Sequence, residues 1–217
     1  MESTFKFLKQ LTKNNNKEWF DINRKTYESC KADFVELLKQ IIEKSGLFDK
    51  DIANLEAKKC LFRINKDIRF SKDKSPYKLN FGAALEPGGK KTFIPGYYLH
   101  IEPGNCFLAG GCYQPMPEAL AAIRQDIDYN TSEFKKIISN KDFRLYFKEL
   151  SQDDKLKTAP KGYDKTHPDI SLFQLKSFVV VHHFDDELLF NKNFPVYASK
   201  VFKAMYPLNI FLRRCLN

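Results

Sequence analysis

Phe20, Tyr27, Phe34 and Ile41 recur every seven residues, and Cys30 and Leu37 fill the seam between them. The stretch 17–44 therefore reads as one long amphipathic helix, opened by Asn16 as N-cap and closed by Gly46 just past its end. A shorter helix over 4–12, capped by Ser3 or Thr4, precedes it across Asn14-Asn15-Asn16. Asn23 falls on the core-facing stripe. Burying its amide unpaired costs about 1–3 kcal/mol, so pairing to backbone is expected, ahead of a ligand contact by Asn23, Trp19 or Arg24.

Over 60–70 the period changes to two. Phe62, Ile64, Ile68 and Phe70 alternate with Arg63, Asn65, Asp67 and Arg69, the pattern of a half-buried strand. Lys66 falls on the apolar side, as a snorkelling edge residue or a bulge. Further strands are expected over 79–85, 93–102 and 106–113. They are separated by the turn sequences Glu86-Pro87-Gly88-Gly89-Lys90 and Glu102-Pro103-Gly104-Asn105, connections short enough for an antiparallel meander. Helices follow over 117–127, 132–139 and 142–150, then a polar connection and a loop from Pro160 to Pro168 rich in turn residues. A last strand over 175–182 leads to a C-terminal helix over 195–216, expected to break or kink at Pro207. These elements predict an α+β chain of one domain, a curved and mainly antiparallel sheet flanked by helices.

Composition narrows the class. With 217 residues, 43% hydrophobic and 20 Phe and 10 Tyr, the chain has the apolar material of a folded domain, and global disorder is excluded. Met1-Glu2-Ser3-Thr4 is followed by alternating charges rather than an apolar leader, and no run approaches the ~20 apolar residues of a membrane span. A cytoplasmic protein without membrane contact is expected. The five cysteines, Cys30, Cys60, Cys106, Cys112 and Cys215, are odd in number and contain no C-x-x-C pair, so buried free thiols are expected rather than a zinc ribbon or a disulfide framework.

The net charge of +9 is concentrated. Between Lys58 and Lys78 stand eight basic residues against Asp67 and Asp73. Such a cluster attracts phosphates, carboxylates or nucleic acid, although a solvated basic face carries equal weight for a charge run alone. Arg63 and Arg69 lie about 20 Å apart along a straight strand, too far to share one small phosphate. The turn from Ser71 to Tyr77 makes a more compact anion site by folding Lys74 or Lys78 back toward Arg69. In a purely structural version, Asp67 pairs with Arg69.

Gly110-Gly111 ends a strand just before Tyr113 and a helix start. Paired glycines admit close backbone approach by an anion, but Glu118 competes there and a plain bulge is favoured. No G-x-x-x-x-G-K-S/T run supports an ATP site. His100, His167, His182 and His183 lack zinc-site spacing, so no metal is expected. His167 and His100 are the proton-transfer candidates. Tyr98 and His100 project from the same strand face, and Lys161 sits in a loop able to close over the site.

The ordered motifs Asn16-Lys17-Glu18-Trp19-Phe20 with Asn23 and Tyr27, the run from Arg63 to Lys78, Gly96-Tyr97-Tyr98-Leu99-His100-Ile101, Gly110-Gly111-Cys112-Tyr113, and Pro160-Lys161-Gly162-Tyr163 with His167-Pro168 span nearly the whole chain. In these the sequence resembles the conserved proteins of domain of unknown function 2461. The resemblance implies one mixed α and β domain and no particular reaction. Lys66 stands where an arginine is more typical, which keeps the charge but not planar bidentate recognition.

The leading functional reading is an anionic small molecule bound at the basic strand and turn by Arg63, Asp67, Arg69, Ser71, Lys74, Tyr77 and Lys78, with Gly110, Gly111, Tyr113 and Lys161 contributing. A nucleic-acid-binding module with Tyr77 and Tyr113 stacking on bases is the alternative, and an interaction scaffold with an ion-paired strand face the second. Asp67 and Asp73 within the basic run favour the pocket. The uninterrupted order of elements predicts one cooperative unfolding unit. Limited proteolysis is expected to nick loops such as Gly88-Gly89 without releasing an independently folded fragment, and a stable half-chain would overturn that expectation.

Overall fold

In the computed structural model, which describes residues 1–90 and 92–216, the chain is α+β. Helices α1 (Glu2–Lys13), α2 (Lys17–Ile22) and α3 (Arg24–Ser45) come first, then a 3-10 turn at Lys50–Ile52 and the short α4 (Ala57–Cys60). Strands β1 (Phe81–Leu85), β2 (Gly96–Ile101) and β3 (Phe107–Cys112) follow. Helices α5 (Pro117–Tyr129), α6 (Thr131–Ser139), α7 (Lys141–Tyr146) and α8 (Ile170–Phe173) lead to β4 (Phe178–His183), a 3-10 turn at Asp186–Phe190 and α9 (Phe194–Arg214). The four strands form an antiparallel sheet in sequence order.

Two expectations about helices are corrected. The long helix divides at Asn23, whose side-chain amide donates to the Trp19 carbonyl at 2.9 Å while its own carbonyl accepts the Tyr27 N–H. Its polar groups thus pair with backbone at a helix junction. Pro207 does not break α9. It faces solvent, as does Lys203 one turn earlier, so the carbonyl that loses its partner stays with water.

The sheet has two unlike faces. Phe81, Ala83 and Leu85 of β1, Tyr97, Leu99 and Ile101 of β2, Leu108 of β3, and Phe178 and Val180 of β4 join one continuous buried cluster with α3 and α9. A residue on one strand and its partner on the next share a face. The register therefore sends Gly82, Ala84, Tyr98, His100, Phe107, Ala109, Val181 and His183 to the opposite side.

The helical face is anchored by a buried ion pair. Arg213 near the end of α9 meets Asp49 with Nη2 to Oδ2 at 2.8 Å and Nη1 to Oδ1 at 3.0 Å, and the two side chains are 8% and 1% exposed. Tyr97 donates its hydroxyl to Asp49 at 2.8 Å, and Arg213 Nε donates to the Pro95 carbonyl at 2.8 Å. Burial acts to lower the Arg213 pKa, but hydrogen bonding and the charge of Asp49 hold it above its ordinary value. Arg213→Met strands the Asp49 carboxylate in the core and is expected to cost about 3–5 kcal/mol, whereas in Asp49→Leu the guanidinium keeps Asp51 at 3.1 Å and the loss is expected to be smaller. Tyr97→Phe is expected to cost roughly 1 kcal/mol, with the hydrogen bond alone removed. Equilibrium urea denaturation of the three variants checks the order.

Candidate functional site

The basic run does not form the expected regular strand. Leu61 bridges Ala83 and the Phe62 N–H donates to the Gly82 carbonyl at 2.9 Å, so the segment covers the free edge of β1. It then leaves the sheet and doubles back on itself: Lys66 N–H donates to Pro76 O at 2.8 Å and Lys78 N–H to Ile64 O at 2.7 Å. The predicted alternation fails accordingly. Ile64 is buried, whereas Phe62 is 41% and Phe70 96% exposed. Pairing with β1 turns the Phe62 ring onto the helix-free side of the sheet, where it meets Tyr98 edge to face at 6.1 Å.

The tip of this hairpin satisfies its own charges. Arg69 donates to Asp67 through Nε at 3.0 Å and Nη2 at 2.7 Å, both side chains largely exposed. Lys66 bonds Asp73 and Ser75, and the bond from Lys66 holds the Asp73 carboxyl well below its usual range. Lys74 Nζ donates to the Ile68 carbonyl at 3.0 Å, and the Ser71 N–H closes the same turn. Tyr77, expected as an exposed stacking surface, is instead 5% exposed. It stacks on Phe20 at 3.9 Å, with its backbone N–H and carbonyl both held by the Asn15 amide.

Lys78 goes elsewhere. It lines a cleft of about 690 Å³ over the helix-free face, with Phe62, Lys90, Tyr98, His100 and Phe107 among its walls. Lys78 Nζ lies 5.5 Å and Lys90 Nζ 5.6 Å from the centre of the same Phe62 ring. Burial lowers the Lys78 pKa, and the charges of Arg63 and Lys90 lower it further. Two other cleft residues, Lys90 and Glu86, were not singled out in the sequence, where they sit inside a turn motif. Lys90 donates to the Leu61 carbonyl, and burial raises the Glu86 pKa while one of its carboxylate oxygens, Oε2, has no hydrogen-bond partner among the described residues.

The cleft wall carries a chain of polar groups on β2. Tyr98 hydroxyl and His100 Nδ1 are 3.1 Å apart, and His100 Nε2 is 3.2 Å from Glu102 Oε2. Glu102 therefore orients a neutral ring with its proton on Nε2, leaving Nδ1 to accept from Tyr98. Phe107 stacks on His100 at 4.4 Å, and burial pushes the Tyr98 hydroxyl up to about 12. Gly82 makes room for this arrangement, since a Cβ there would collide with the Tyr98 hydroxyl. The signal in the sequence was polar residues at 98, 100 and 102, one face of a strand.

Of the other candidates, Gly110, Gly111 and Tyr113 line the same cleft, and Lys161 and His167 do not. Gly110 lies under Met205 of α9, and Gly111, at φ 116°, lies against the Phe178 carbonyl, so their closeness serves packing between elements. Tyr113 stands at the cleft mouth, 69% exposed. Lys161 is exposed on its loop. His167 accepts the Asp169 N–H through Nδ1 at 3.1 Å, and its Nε2 lies 3.5 Å from Asp128; His167, Asp169 and Asp128 all lie outside the cleft lining, so the two candidate histidines are not brought together. Among the described residues, no three His, Cys, Asp or Glu side chains converge as metal ligands would.

Two histidines give the fold an acid response. Burial lowers the pKa of His100 and of His182, whose ring contacts the Tyr146 carbonyl and the Tyr197 hydroxyl. The unfolded chain binds protons near 6.5 that the folded chain refuses, so their contribution to stability is complete above that value and declines as pH falls below it. Melting temperature is expected to drop between about pH 7.5 and pH 5.5, and less steeply in the His100→Gln/His182→Gln variant. Glu86, with its raised pKa, acts in the opposite sense at lower pH.

No curated protein and no solved structure matches the chain. A family model described as conserved hypothetical protein (DUF2461) matches residues 3–211, and no helix among the described residues is long and apolar enough to cross a membrane. With all but the two ends of its 217 residues matched, the chain belongs to the DUF2461 family of conserved hypothetical proteins.

Proposed function

We propose that this is a cytoplasmic protein that binds an anionic small molecule, bearing phosphate or carboxylate, in the cleft on the helix-free face of the sheet. The observation that carries this reading is the cationic corner. Lys78 is half-buried beside Arg63 and Lys90, and its ammonium has no hydrogen-bond or ion-pair partner among the described residues. Unneutralised like charges at a partly desolvated site are unfavourable, and an anion relieves them. The apolar walls, Phe62, Phe107 and Val181, suit the remainder of such a ligand. Five free cysteines, four of them buried, fit a reducing compartment.

The geometry favours this pocket over a nucleic-acid surface. At the hairpin tip Lys66 and Arg69 are spent on Asp73 and Asp67, and Tyr77 belongs to the core. The anion site is accordingly moved from Arg69 and Lys74 to Arg63, Lys78 and Lys90.

A thermal-shift series with phosphate, nucleotides, sugar phosphates and dicarboxylates tests it. At a hundredfold excess over Kd, a ligand contributes about 2.7 kcal/mol, on the order of 5–10 °C for a chain of this size. That shift is expected in wild type and in Arg69→Ala and is lost in Lys78→Gln. A response lost in Arg69→Ala but kept in Lys78→Gln moves the site back to the hairpin tip. Absence of any wild-type response overturns the proposal.

A further inference from the structure

We propose that Lys78 is a nucleophilic lysine that forms a Schiff base with a small carbonyl compound bearing a carboxylate or phosphate, held in the same cleft. This rests on the anion-binding reading and goes a step beyond it, from a bound anion to a covalent reaction. The amines of the cleft are not equivalent. Lys90 is committed to the Leu61 carbonyl, Lys155 donates to Gln152 Oε1 at 3.1 Å, and Lys176 is exposed. Lys78 alone among these four is half-buried with its amine unpartnered, and it stands over the Phe62 ring beside two further cations.

A desolvated amine among cations is a free nucleophile at a pH where surface lysines are still ammonium ions. Its burial and its neighbours both lower the Lys78 pKa. Lys90, which lines the same cleft, supplies the charge that holds the anionic end of the substrate and leaves its carbonyl to Lys78, with the charge of exposed Arg63 acting from outside the lining.

The chemistry closes without a further reagent. The neutral nitrogen attacks the carbonyl carbon, a C–N bond forms, and the carbonyl π pair moves to oxygen, which takes a proton. The C–O bond then breaks and that oxygen departs as water. An ammonium ion and a carbonyl group thus become a protonated imine and water, with no net gain or loss of protons. Tyr98, with its ring 6.1 Å from that of Phe62 and its hydroxyl bonded to His100, is the proton carrier on that wall.

The test is reductive trapping on the full chain with glyoxylate or pyridoxal 5′-phosphate as probe and cyanoborohydride as reductant, followed by peptide mapping. Lys78 is expected to be labelled faster than any surface lysine, because more of its amine is free. Inorganic phosphate should slow that labelling. Lys78→Arg, which keeps the positive charge but has no primary amine, should lose the fast label. Uniform labelling of surface lysines with Lys78 no faster, alongside an intact phosphate shift in wild type, overturns the Schiff-base proposal and leaves the binding reading standing. Neither fast labelling nor any anion shift overturns both.

Discussion

The Asp49–Arg213 ion pair ties together three parts of the chain distant in sequence: the turn after α3, the entry to β2, and the end of α9. Two buried charges are expensive to bring out of water, and they repay that cost only in one geometry. Here the geometry is well specified. Two guanidinium nitrogens face two carboxylate oxygens, Tyr97 fills a further acceptor site on Asp49, and the third guanidinium nitrogen holds the Pro95 carbonyl. One turn earlier on α9, Asn209 donates to the Gly96 carbonyl at 3.0 Å. A slip of α9 by one turn would leave an ion, an amide and two carbonyls without partners. The pair therefore specifies the docking of the helix more than it adds to net stability.

That docking decides the other face of the sheet. Because the Pro95 and Gly96 carbonyls are held by α9, β2 enters the sheet in a fixed phase, with Tyr97, Leu99 and Ile101 toward the helices and Tyr98 and His100 away from them. A shift of one residue would exchange the two sets. Antiparallel sheets tolerate one uncovered face, and here the uncovered face is only partly polar. Ala84, Ala109 and Val181 lie beside Tyr98, Phe107 and His100. The hairpin from 61 to 80 and the turn after β1 raise walls along one edge, and so a sheet face becomes a cleft.

How much of this could be read in the sequence depends on the range of the forces involved. The strands and most helices followed from local periodicity and turn chemistry, and so did the face shared by Tyr98 and His100. The run at 60–70 misled for a definite reason. Its alternation is genuine, but only Leu61 and Phe62 meet the sheet, and the partner of the rest is the same segment folded back through Asp67, Asp73 and Ser75. Nothing local distinguishes those two partners. Asp49 and Arg213 are 164 residues apart, and each looks like an ordinary surface charge in its own window. Lys90 was equally hidden, since its importance comes from sharing the Phe62 ring with Lys78.

Some of the chain's surface charges are neutralised close at hand, as Lys31 is by Glu28, Lys39 by Glu36, and Arg214 by Asp126 and Glu133. Even within the basic run, Lys66 and Arg69 have carboxylates. What marks the corner formed by Arg63, Lys78 and Lys90 is burial: positive groups are grouped there, one of them half-buried and without a carboxylate partner among the described residues, and Glu86 bonds the Phe93 N–H. A half-buried cation held beside two others runs against the rule that charge taken from water is paired. Such a violation costs stability without improving packing, and natural chains retain violations of that kind at functional sites, where a ligand supplies the missing partner.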